Sequence, residues 1–465
     1  MSDQALIEQL RDAIGSHKVL TSLEDRIAYS YDGTFAQDLP DVAVLPESTE
    51  EVAAVVRIAA QARVPVVPRG MASGLAAASI PFGGGIALSL TRMNRILELD
   101  EGNRTVRVEA GIVTADLQAE VEKRGLFYPP DPSSNRHSTI GGNIACNAGG
   151  PRCLKYGVTG DYVLGLTVVL PDGRVLQTGG KAIKNVVGYD LNSLFVGSEG
   201  TLGVIAEALL KLTARPQFVR TARAEFPSLD DASRTVNAIL SAGIVPATLE
   251  LMDETAIACI EEAMHLGLPL DVEAMLIVEA DGSDEEAVVR EIEAVARICR
   301  ENGVRQVSVA RDEAERNALW KARRSVSPSL ARKAPNKLGE DITVPRSAIP
   351  EAIRRIKAIS ARHGLPIVVF GHAGDGNLHP NVLFDKQDPA QWAKVEPMVE
   401  EIFGVALELG GTLSGEHGVG TLKQPYMEQA LGPVSLEIQW RIKRALDPLN
   451  IMNPGKVLPE LGRLL

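Results

Sequence analysis

Three histidines and a glutamate in two glycine-rich segments carry the most legible chemistry in this chain. His372 and His379 lie in Gly-His-Ala-Gly-Asp-Gly-Asn-Leu-His-Pro-Asn (371–381), and Glu416 and His417 in Gly-Glu-His-Gly-Val-Gly (415–420). Neutral imidazole and carboxylate are the ligands a divalent cation such as Zn²⁺ or Mn²⁺ accepts. The apolar run 367–370, the turn residues 374–377 and the stretch 378–384 read as a β-hairpin, which sets His372 and His379 side by side across its strands. His372, His379 and Glu416 would be three metal ligands beside an open coordination position, with His417 a spare base next to them. Such a set suits a catalytic metal site better than a structural one. Each residue alone fits a turn or a hydrogen-bonded core position better than a metal site; the four together favour the metal.

The surrounding elements must hold that set. A chain of 465 residues is long enough for two or three domains, and its apolar and charged content is that of an ordinary globular enzyme. A net charge of −12 argues against a nucleic-acid partner but leaves a local basic pocket for an anionic substrate open. The N-terminus lacks a basic-then-apolar leader and no apolar run reaches the ~20 residues of a membrane span, so a cytoplasmic protein is expected. Cys146, Cys153, Cys259 and Cys299 show no Cys-x-x-Cys spacing, which excludes an iron–sulfur cluster carried by this chain alone and suggests reduced thiols.

Along the chain, residues 1–36 read as a helical lead-in, and Ser48 with Glu51 as a capping box opening a helix over 49–62. Short strands between Gly and Pro turns dominate up to about residue 215. Beyond Pro216, strands at 219–225, 247–253, 273–280 and 304–309 alternate with helices at 229–242, 254–265 and 283–302, an antiparallel sheet with helices on one face. A charged helix over 311–333, a strand at 341–344 and helices over 347–363 and 389–409 flank the hairpin, and the tail from Gly418 reads as mostly helical.

Three glycine-rich stretches punctuate the first half: 68–75, 139–150 (led by Asp-Pro-Ser-Ser-Asn at 131–135) and 197–203. Glycines let main-chain N–H groups converge on a pyrophosphate. None has the spacing of a Rossmann fingerprint or Walker A loop, so a pyridine dinucleotide bound in the usual way is disfavoured.

From about residue 38 onward, the segments Pro68–Leu75, Ser138–Gly150, Tyr156–Asp161, Gly188–Asp190, Phe195–Ile205, Gly371–Asn381, Gly415–Gly420 and Asn453–Lys456 resemble the flavin-dependent 2-hydroxyacid dehydrogenases of the vanillyl-alcohol-oxidase type. Within that family the chain is most similar to glycolate oxidase FAD subunits and D-lactate dehydrogenases. The resemblance implies an α+β protein: a two-lobed FAD-binding domain (1–216), a ferredoxin-like substrate cap with the metal site (217–418) and a helical C-terminal segment returning to the FAD domain (419–465). It implies noncovalent FAD held by Pro68, Arg69, Gly70, Met71, Ala72, Ser73 and Gly74 at the pyrophosphate. Pro132, Ser133, Thr139, Gly142, Asn143, Ala148, Gly149 and Gly150 would line the flavin, joined by Gly157, Glu199, Gly200, Gly203, Ile205 and Asn453. Ala72 stands where relatives commonly have glycine, and no His or Cys in that loop offers a covalent flavin link.

The same resemblance makes His417 the base for the substrate hydroxyl, with hydride passing to flavin N5, and places substrate against His372, His379, Arg323 and Asn381. Arg323, in Trp-Lys-Ala-Arg (320–323), would take the carboxylate, against the alternative of a solvated basic helix face. Gly339 stands where some relatives carry a second basic residue, which favours a small monocarboxylate. The expected reaction is oxidation of glycolate or D-lactate to the 2-oxoacid. Its rivals are D-2-hydroxyglutarate oxidation, the catalytic subunit of an electron-bifurcating lactate dehydrogenase, and a non-catalytic metal- or nucleotide-binding protein. Electron acceptors are expected to be an iron–sulfur subunit or an electron-transfer flavoprotein, which could hold the protein at the inner membrane; the composition also admits a homodimer.

Overall fold

The computed structural model describes residues 3–460. It divides into two compact units, Met1–Gly149 with Val158–Arg215 and Glu416–Leu465, and Gly150–Gly157 with Pro216–Gly415.

In the first unit, three short apolar strands, Val42–Val44, Ile86–Ser89 and Val66–Arg69, pair in parallel, and Val19–Leu20 adds an antiparallel edge. The helices Asp3–Ile14 and Thr49–Ala62 close over a core containing Leu10, Val52, Val56, Val66 and Leu88. The lead-in is therefore two helices, Asp3–Ile14 and Leu23–Ala28, with an edge strand between them. Ser48 caps its helix by accepting from Glu51 N, while the Glu51 carboxylate accepts from Glu47 N and so completes the cap one residue upstream of the expected partner. A second, antiparallel sheet runs in the order Ile96–Asp100, Thr105–Glu109, Val204–Lys211, Val163–Val169, Val175–Gln177.

Between the strands lie helices that the glycine-rich sequence hides. Thr139 caps Ile140–Cys146 by accepting from Gly142 N, and Asn147 ends it at φ 52°. Gly141 is required there because a Cβ would stand 2.6 Å from the Ala110 Cβ. The tail forms the kinked helix Met427–Leu446, in keeping with the helical C-terminal segment expected, and residues 447–460 beyond it are irregular. Polar anchors replace helical bonding there: buried Lys443 donates to Thr201 O and Met452 O, and Asn453 N donates to Val66 O.

The second unit is built on an eight-stranded antiparallel sheet, the α+β arrangement expected. Its order is Gln306–Val309, Phe218–Phe226, Ala274–Gly282, Thr248–Asp253, Ile367–His372, Asn377–Phe384, Asn336–Gly339, with Ile342–Thr343 also pairing Asn377–Phe384. Lys155 and Tyr156 bring residues 150–157 into this unit, both side chains bonding to Asp281.

Asp253, fully buried, caps the helix Glu254–Met264 and accepts from Ala256 N and Val369 N. Burial pushes its carboxyl up to about 7, with Lys357 pulling the other way. A raised folded-state value means stability that is complete below the ordinary aspartate range and is lost as pH rises through about 7. Thermal melts are therefore expected to fall between about pH 4 and pH 7, and Asp253→Asn, which keeps a capping side chain, is expected to flatten that slope.

Candidate active site

The hairpin forms as read, Ile367–His372 against Asn377–Phe384, with one difference in register. His379 stands directly opposite Phe370, and His372 opposite Asn377, so the two histidines are diagonal neighbours on one face rather than a directly opposed pair. Both are buried, and their Nε2 atoms are 3.4 Å apart. Two nitrogens bound at tetrahedral angles to one ion, each about 2.0–2.1 Å from it, would lie roughly 3.3–3.4 Å apart. The pair thus has the spacing of two ligands to a common cation.

A carboxylate missed by the sequence reading organises this face. Glu250, on the neighbouring strand and paired in register with His372, is fully buried. Its Oε1 lies 2.5 Å from His372 Nδ1, and its Oε2 accepts from Arg323 Nε at 2.7 Å. Burial pushes the Glu250 carboxyl up, but His372 and Arg323 outweigh it through charge and hydrogen bonding and hold the group at about 2. Arg323 also stacks over the Phe370 ring at 4.7 Å. Its terminal nitrogens donate to no described residue. Asn381 donates its amide to His379 O and lies beside Gly339, where a Cβ would meet its Oδ1 at 2.6 Å. The only visible signal for Glu250 is a charge inside the otherwise apolar run 249–252.

The segment bearing Glu416 starts from a fixed point. Ser414 Oγ and Gly415 N both donate to the buried Asp341 carboxylate, at 3.0 and 2.5 Å. In the first unit, Val419 N and Gly420 N donate to the buried Glu199 carboxylate at 2.6 and 2.8 Å. Glu199, expected at the flavin, thus also secures the segment that carries Glu416 and His417.

A single cleft of the first unit gathers most of the expected cofactor residues. Its wall includes Pro68, Arg69, Gly70, Met71, Ala72, Ser73, Gly74, Pro132, Ser133, Thr139, Gly142, Asn143, Ala148, Gly149, Glu199, Gly200, Gly203 and Ile205, together with Glu416 and His417. Asn453 is not in the wall but donates to Ala78 O and Glu199 O directly behind it. Gly150 and Gly157 are not in it either; both belong to the second unit. Asp32 and Ser79 line the cleft unforeseen as contacts, and Cys146, within the flavin segment 138–150, lines it too.

The 68–75 loop fits a pyrophosphate. Arg69 turns its side chain back to Tyr29 O and Tyr31 O, while the main-chain N–H groups of 71–74 bond to no described residue. Open N–H groups on a glycine-rich loop make an anion cradle. Ala72 holds φ at 54°, the left-handed region that explains why glycine is usual at this position.

Two family profiles match the chain: "FAD binding domain" over residues 40–179 and "FAD linked oxidases, C-terminal domain" over 215–457. The chain belongs to the FAD-linked oxidases. Among the relatives of this FAD-linked oxidase, glycolate oxidase subunit GlcD of Bacillus subtilis is 46% identical, covering 98% of this chain and 97% of its own length. D-lactate dehydrogenase of Anaerostipes hadrus is 35% identical, covering 98% of both. The solved structure of p-cresol methylhydroxylase with substrate bound superposes with a TM-score of 0.82 at 17% identity, over 99% of this chain and 97% of that one, which shows a shared fold. The protein is an FAD-dependent oxidoreductase of the vanillyl-alcohol-oxidase fold. Among the described residues, no helix is long and apolar enough to cross a membrane.

Proposed function

We propose that this FAD-linked oxidase oxidises a small 2-hydroxyacid, glycolate or D-lactate, to the 2-oxoacid, using a divalent cation held by His372, His379 and Glu416. The observation that carries the reading is the buried Glu250–His372–His379 row with Arg323 at its side. A carboxylate behind a ligand histidine is the usual support of a metal site. An arginine with open terminal nitrogens suits a substrate carboxylate. Glu416 follows Gly415 by one peptide bond, and Gly415 is anchored on Asp341 in the unit that contains both histidines. The names of the relatives, glycolate oxidase subunit and D-lactate dehydrogenase, agree with this substrate class.

When bound, FAD supplies the hydride acceptor at N5 and the cation supplies charge for the developing alkoxide. The chain's own residues do the rest. Arg323 orients the acid through its terminal nitrogens, and Asn381 steadies the main chain of His379. His417 takes the hydroxyl proton on an imidazole nitrogen. FAD is noncovalent in this reading: burial, with Glu199 and Asp32, pushes the Cys146 thiol up to about 12, so the one cysteine in the cleft wall is a poor nucleophile. The first unit would then be the flavin domain and the second the substrate cap. Electrons would leave to a partner, an iron–sulfur subunit or an electron-transfer flavoprotein.

Turnover with an artificial dye, measured on glycolate, D-lactate, L-lactate and D-2-hydroxyglutarate, tests the substrate. The reading expects one of the first two to be preferred; preference for the dicarboxylate would replace it with the D-2-hydroxyglutarate alternative. The cradle has its own test. A Cβ at Gly70 would stand 2.2 Å from Thr139 Oγ1, so Gly70→Ala must displace the loop or the cap of Ile140–Cys146. The variant is expected to purify with most of its FAD lost, as read from the flavin-to-protein absorbance ratio.

A further inference from the structure

Glu250 touches two residues that the proposed reaction uses for different purposes. Its partners sit on different elements, His372 at the end of the adjacent strand and Arg323 on the helix Glu313–Lys333, and each takes a different oxygen. An ionised carboxylate only accepts hydrogen bonds, so both partners must donate. Donation from His372 Nδ1 leaves Nε2 of the neutral ring with its lone pair, on the side where His379 Nε2 lies 3.4 Å away. Donation from Arg323 through Nε leaves the two terminal nitrogens of the guanidinium fork for a ligand.

We propose that Glu250 is a shared positioning residue, fixing the metal-binding tautomer of His372 and the carboxylate-binding direction of Arg323 at once. The inference rests on the metal reading above. It explains why a carboxylate is kept fully buried in an apolar strand. Glutamine cannot replace it, because an amide has one accepting oxygen and one donating nitrogen. If its nitrogen faces His372, the ring must accept at Nδ1, and Nε2 then carries the proton and cannot ligate. If instead its nitrogen faces Arg323, two donors oppose each other and the guanidinium loses its place.

The test is the affinity of chelator-stripped, FAD-loaded protein for Zn²⁺ and for Mn²⁺ alone, measured by calorimetry and confirmed by elemental analysis. Wild type should bind one equivalent. Glu250→Gln should bind roughly 10–100-fold more weakly, at unchanged flavin content. Arg323→Met should keep the wild-type metal affinity while raising KM for the acid. If Glu250→Gln fails to fold, the double variant Glu250→Met/Arg323→Met, which leaves His372 Nδ1 without an acceptor and buries no unpaired guanidinium, gives the same readout. Wild-type metal affinity in whichever of the variants at Glu250 folds would overturn the role of Glu250. A wild type that binds neither ion would instead overturn the metal reading itself, and with it the proposal.

Discussion

Replacing His417 with asparagine lowers kcat by roughly 10²- to 10⁴-fold, with flavin content and melting temperature close to wild type. The size follows from the loss of a positioned general base, since asparagine keeps the polar volume but takes up no proton. Retention of flavin follows from how the segment is held. The Glu199 carboxylate accepts from Val419 N and Gly420 N, main-chain groups that the substitution leaves alone. Because the base acts in the chemical step, KM should change much less than kcat. Stopped-flow reduction of the flavin under anaerobic conditions checks the prediction. A reduction rate within a few-fold of wild type would remove His417 from proton transfer.

His372→Ala is expected to have the second large effect, and a different signature. It removes one of two nitrogens spaced for a common ion and leaves Glu250 with Arg323 alone. Bound metal should drop to a small fraction of an equivalent, and turnover by roughly 10³-fold or more, since a cation that stabilises an alkoxide is worth several kcal/mol. FAD should stay in place, because the cleft that would hold it is walled by residues of the first unit. Elemental analysis beside the visible spectrum separates the two outcomes. Loss of flavin together with metal would show a folding defect, and full activity without metal would refute the cation's role.

Several parts of this molecule were legible in its sequence for identifiable reasons. Alternating elements beyond Pro216 forecast the antiparallel sheet with its helices, because period-2 and period-3.6 patterns survive there without glycine interruption. The hairpin was legible from an apolar run ending in Gly-Asp-Gly-Asn, though the turn spans 373–376, which shifts His372 onto the diagonal of His379. The helix Ile140–Cys146 was not legible. Two glycines argue against a helix locally, and they are tolerated because Gly141 must lie against Ala110 and Thr139 supplies the cap. Glu250 was hidden for a deeper reason. Its partners lie 73 and 122 residues away in sequence, so its meaning appears only when strand pairing brings Arg323 and His372 to it. Ala72 is the converse case: the departure from glycine was visible, and its left-handed φ of 54° supplies the reason.

The central claim, metal-assisted oxidation of a small 2-hydroxyacid by the flavin, is tested most directly by anaerobic bleaching of the oxidised-flavin absorption band. Purified protein would be mixed with glycolate, D-lactate, L-lactate and D-2-hydroxyglutarate before and after treatment with a chelator. The account predicts rapid bleaching by glycolate or D-lactate, abolished by the chelator and restored by Zn²⁺ or Mn²⁺. Bleaching that proceeds unchanged after the metal has been stripped would contradict it.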